Sequence, residues 1–183
     1  MIISRRKKAE NIVEYVIYMW QLEELCRSLS LDNDRVNAVL VEPQDIHPQL
    51  KEEMRQWYAD LMKQMKNEGL EKQGHLSDVI EVMNELEMLH HTMTGILNHQ
   101  PYIQEWEKVK EDLAEAKKKM KGIQGGEVEV GLMVMFGVLS LRMKKAEISK
   151  ETEAASKKIA DWLGLLAGHF QKMKSGDWNV GGN

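Results

Sequence analysis

The stretch ENIVEYVIYMWQLEELCRS, residues 10–28, places apolar side chains on two sides of one helix. At helical spacing Ile12, Val13, Val16, Met19 and Trp20 fall on one side, and Tyr18, Leu22, Leu25 and Leu29 on the other. A helix at a protein surface carries one apolar stripe. Two stripes need cover on both sides, either from other elements of the chain or from a second copy across a twofold axis.

The rest of the chain supplies partners of the same kind. The three prolines, Pro43, Pro48 and Pro101, all lie between apolar-periodic segments, where helices can end or restart. The first helix is expected over about Lys7 to Ser30. Asp32 caps a short second helix through Val41. Pro48 opens a third with the stripe Leu50, Met54, Trp57, Leu61 and Met65, and Gly69 follows as its C-terminal cap. A fourth follows Ser77, with Val79, Val82, Met83, Leu86, Leu89, Met93 and Leu97 inward. Pro101 starts a fifth carrying Tyr102, Trp106, Val109, Leu113 and Met120. GIQGGE, residues 122–127, predicts a flexible connection. The sixth helix, Val128 to Lys145, is apolar nearly all round and is expected to be the most buried. Its Gly131 and Gly137 each cost up to ~1 kcal/mol relative to alanine, which close approach of a neighbouring backbone can offset. Ser149 caps a seventh helix with Ile159, Trp162, Leu163, Leu166 and Phe170 inward.

No strand-like alternation and no repeat of fixed period interrupts this pattern. The expectation is an all-α, single-domain bundle of about six to seven helices over residues 1–174, with residues 175–183 a mobile C-terminal tail. Hydrophobic residues at 43% and charged residues at 30% suit a core with a solvated shell.

The longest apolar run, Val130 to Leu141, is short of the roughly 20 residues a bilayer requires, so no membrane span is expected. The basic N-terminus is interrupted by Glu10, Asn11 and Glu14, and no small-residue cleavage site follows, so it is not expected to act as a signal peptide. A net charge of −4 and a pI near 5.9 argue against nucleic-acid binding. Arg5 to Lys8 and Lys117 to Lys121 are local basic exceptions, the second completing a helix whose acids come first. The lone Cys26 excludes an intrachain disulfide and suits the cytoplasm. Most of the thirteen methionines recur at core spacing.

Few residues suggest chemistry. Glu87 and His90 form a Glu-x-x-His pair, the spacing by which di-iron carboxylate bundles present ligands, but those sites need two such pairs and the sequence holds one. His90 also lies within an apolar stripe, where a hydrogen-bonded core histidine is the ordinary outcome. Glu14, Gln21, Glu23 and Arg27 are polar positions on the doubly apolar helix. They suggest either a pocket for a small ligand or a structural network, with Glu23 and Arg27 spaced for a partly buried ion pair. No nucleophile elbow, phosphate loop or dinucleotide fingerprint occurs, and no cofactor is implied.

Three stretches, ENIVEYVIYMWQLEELCR, WYADLMKQMKNEGLEKQGHL and ISKETEAASKKIADWLGLLAGHF, together resemble the bacterial domain-of-unknown-function family 4924, best represented in Bacteroidetes. The sixth helix departs from the more polar, tyrosine-containing pattern of that family. The resemblance implies an all-helical cytoplasmic protein with no activity to carry over. It draws attention to Glu10, Asn11, Glu14, Tyr18, Trp20, Gln21, Glu23 and Arg27, and to Trp57, Tyr58 and His75. The expected function is non-enzymatic association as a homodimer through part of the first or sixth helix, with Leu25→Glu testing one face. A small-molecule or metal-binding bundle is the alternative.

Overall fold

The computed structural model describes residues 2–120 and 125–177. Every element among them is helical: α1 (Ile2–Glu10), α2 (Ile12–Ser28), α3 (Asn33–Val36), α4 (Pro48–Asn67), α5 (Ser77–His91), α6 (Gln100–Glu107), α7 (Lys110–Lys119), α8 (Glu127–Met143) and α9 (Lys150–Ser175). Helices α3 and α5 each run on into one π-helical turn, Asn37–Val41 and Thr92–Ile96.

The described residues thus hold nine α-helices where about six to seven were expected. Each expected helix is present, and two of them break. The first divides at Asn11, whose extended backbone (φ −153°, ψ 104°) interrupts the helix while its side chain accepts from the Val13 and Glu14 amides. The fifth divides between Glu107 and Lys110 around Val109. Caps at Asp32 and Ser149, prolines in the first turns of α4 and α6, and a positive φ at Gly69 stand where the sequence places them. Part of the GIQGGE connection and the tail from Trp178 lie outside the described residues.

Helices α2, α5, α8 and α9 pack against one another in every pairing and form the centre, with α6 and α7 against α9 and α8 and with α4 beside α3 and its π-helical turn. The first stripe of α2 is wholly buried and joins the same core cluster as Leu86 of α5, Leu132 of α8 and Trp162 of α9. Its second side is only partly covered: Leu22 is buried, Tyr18 and Leu29 pack at the core margin, and Leu25 is 36% exposed.

The expectation that α8 is the most buried helix is corrected. Val128, Val130, Gly131, Leu132 and Val138 are buried, but 133–137, 139 and 140 are half-buried and Leu141 is exposed, because no element among the described residues covers the side of α8 between α2 and α7. The two glycines differ accordingly. A Cβ at Gly131 would lie 3.0 Å from Trp162 and 3.5 Å from Ile159, so this glycine admits the close approach of α9, whereas a Cβ at Gly137 would meet nothing within 4 Å.

Candidate functional site

The four polar positions of the first expected helix do not share a pocket. Glu14 is exposed and joins the α1–α2 break, accepting from Lys7 Nζ at 2.9 Å and Asn11 Nδ2 at 3.4 Å. Gln21 reaches across to α8, its Nε2 3.5 Å from Met143 Sδ. Glu23 is fully buried, and Arg27 has only 8% of its side chain exposed. The expected Glu23–Arg27 pair is not formed, because the chain leaving α4 offers stronger claims on both. Glu23 accepts the Leu76 amide at 3.0 Å and holds His75 Nδ1 at 2.6 Å. Arg27 donates to the carbonyls of Gly74 (3.0 Å) and Leu70 (3.4 Å) and to Glu24 at 3.1 Å.

His75 also stacks on Trp20, ring centroids 4.5 Å apart, and Trp20 meets Phe136 of α8 edge-on. Trp20, Glu23, Arg27 and His75 therefore meet at one place, although His75 lies 52 residues from Glu23 and no spacing rule links them. The Trp20 indole N–H is buried there without a hydrogen-bond partner among the described residues. A buried carboxylate that fixes one imidazole nitrogen leaves the other as a proton acceptor or ligand, and 34% of the His75 side chain is exposed. Trp57 and Tyr58 form an edge-to-face pair on α4, apart from this group.

The Glu87–His90 pair separates in function. Glu87 accepts the Glu127 and Val128 amides at 3.2 and 3.0 Å and thereby caps α8, whose own N-cap residue is Gly126. A Cβ at Gly126 would lie 2.3 Å from the Glu87 carboxyl, so only glycine leaves room for the cap. Burial raises the Glu87 carboxyl above the ordinary range, and the nearby Glu127 carboxylate adds to the effect. His90 sits in the core. Trp162 Nε1 donates to Tyr102 Oη at 2.9 Å, and that hydroxyl bonds His90 Nδ1 at 2.8 Å. Trp106 and Trp162 pack against the imidazole, and burial lowers its pKa to about 4. Tyr102 was legible as a core residue, but its hydroxyl as the junction of α5, α6 and α9 was not.

The half-exposed side of α8 is a ridge between two grooves. The groove toward α2 holds about 670 Å³ and is bordered by Tyr18, Leu25, Phe136 and Met143; the one toward α7 and α9 holds about 360 Å³ and is bordered by Met120, Met133 and Leu141. Along the crest, Glu129, Met133, Phe136, Gly137, Ser140 and Lys144 recur at helical spacing, with an acid at one end, a base at the other and no charge between.

The fold and these sites define an all-helical protein built on four mutually packed helices, with polar groups used mainly to tie helix ends and connections. No helix among the described residues is long and apolar enough to cross a membrane. The chain belongs to the family described as Domain of unknown function (DUF4924), whose model matches residues 1–177. No curated protein and no solved structure matches it.

Proposed function

We propose that this chain acts by association with a second copy of itself, as a non-enzymatic homodimer in a bacterial cytoplasm, and that the α8 ridge forms the interface. The supporting observation is the self-complementarity of the ridge. Glu129 and Lys144 lie at equal distances on either side of a midpoint at Phe136 and Gly137. An antiparallel twofold pairing about that midpoint sets each Glu129 opposite the Lys144 of the other copy and each apolar centre against its counterpart. The open Gly137 lets the backbones approach. Near-antiparallel crossings of roughly 20° keep both ends in register over this length. Exposed Leu141 and Met143 would be covered at the same time. The buried, unpaired Cys26 suits a reducing compartment.

Native mass spectrometry and light scattering across a concentration series test this reading. The expected result is a dimer that Gly137→Glu converts to a folded monomer, since a Cβ at this position meets nothing within 4 Å among the described residues. Glu129→Lys should weaken the dimer, and adding Lys144→Glu should restore it. A wild-type chain that stays monomeric, or a dimer indifferent to Gly137→Glu, refutes the proposal.

A further inference from the structure

We infer that His90, His91 and Glu127 form a binding site for one divalent transition-metal ion of the zinc class, at the junction of α5 with the first turn of α8. Their ligand atoms all lie within 4.8 Å of one another. Two imidazoles and one carboxylate make a three-ligand set that leaves a coordination position for water. The arrangement differs from the Glu-x-x-His pairing that the sequence suggests. Both Glu87 oxygens accept α8 amides, and Glu127, 40 residues from Glu87, supplies the carboxylate instead.

The three ligands differ in rigidity in a way that suits capture of an ion. His90 is buried, its Nδ1 is engaged by Tyr102 Oη, and the flanking tryptophans fix its ring, so Nε2 is the coordinating atom. With metal on Nε2 the imidazole proton resides on Nδ1, where Tyr102 Oη accepts it, the outer support that metal-bound histidines commonly have. His91 is exposed and Glu127 half-buried, so both have rotamer freedom. Donors around a tetrahedral zinc lie ~3.3 Å apart, so from separations of up to 4.8 Å these two side chains need to close by at most about 1.5 Å. Glu87 Oε1, 3.5 Å from His91 Nε2, adds negative charge beside the ion.

The test uses untagged full-length protein freed of metal with a chelator. Cobalt is followed by visible absorption and zinc by competition with a chromophoric chelator. The expected result is one ion per chain, with cobalt bands of a four-coordinate nitrogen and oxygen site. His91→Ala and Glu127→Gln should each weaken binding by about tenfold or more while helix content and thermal midpoint without metal stay unchanged. The absence of saturable one-to-one binding, or unchanged affinity in the double variant His91→Ala/Glu127→Gln, overturns the proposal. Stoichiometry is counted per chain and separates this result from the state of the dimer.

Discussion

Replacing Glu23 with alanine should be the most damaging single change on α2, and its size follows from what the carboxylate holds. Glu23 is fully buried, accepts the amide of buried Leu76 and bonds His75 Nδ1 at 2.6 Å. Removing it strands the Leu76 N–H without water, at about 1–3 kcal/mol, and also removes a bond to a charged acceptor worth roughly 1.5–3 kcal/mol. The expected loss is ~4 kcal/mol, within the range for breaking one side of a buried polar pair. With a urea slope of ~2 kcal/mol per molar, the unfolding midpoint followed by circular dichroism should fall by about 2 M. Glu23→Gln should cost roughly half as much, because the amide oxygen still accepts from Leu76 and the amide N–H can donate to the other His75 tautomer. Hydrogen exchange at the Leu76 amide should accelerate strongly in the alanine variant and only weakly in the glutamine variant. An alanine variant within ~0.5 kcal/mol of wild type, or a glutamine variant as unstable as alanine, would refute the reasoning.

Two glycines six residues apart on α8 should respond oppositely to alanine. Gly131→Ala gains about 1 kcal/mol of helix propensity but drives a methyl to 3.0 Å from a Trp162 ring pinned by Tyr102, for a net loss of ~1 kcal/mol, whereas Gly137→Ala should stabilise the dilute monomer by ~0.5–1 kcal/mol in urea titrations. The buried neutral His90, with its pKa lowered to about 4, binds its proton later than it does in the unfolded chain. Stability should therefore fall as pH drops from about 6.5 to about 4, an effect that a His90→Gln variant lacks. The raised Glu87 carboxyl acts in the opposite sense at the acid end, so the comparison with His90→Gln isolates the histidine. Burial pushes the Cys26 thiol up to about 11, so native protein should resist alkylation at neutral pH and react fully once unfolded in urea, as mass spectrometry would show.

The helices were legible because apolar spacing and capping residues agree along most of the chain. Asp32, Pro48, Gly69, Pro101 and Ser149 all mark boundaries found in the structure. The break at Asn11 also had a local signal, an asparagine with a glutamate three residues on, but the apolar periodicity running past it concealed the boundary. The π-helical turn after α5 had a weaker signal: Thr92 and Thr94 hydroxyls donate to the Met88 and His90 carbonyls and compete with the backbone pattern. The polar clusters were less legible. Glu23 with His75, Glu87 with the α8 amides and Glu127 with His90 join residues dozens of positions apart, and periodicity within one helix carries no information about which loop returns beside it.

The cap that Glu87 provides for α8 also bears on the order of assembly. A helix that begins at a bare glycine has no local means of closing its first turn, and here the closing group sits on α5. The first turn of α8 is therefore fully capped only when α5 is docked beside it. On a ribosome, α5 emerges first and can wait as a template, so α8 would register its start against an existing partner instead of choosing one from its own sequence. In refolding from denaturant, protection of the Glu127 and Val128 amides should accordingly follow docking of α5, which pulsed hydrogen exchange would read.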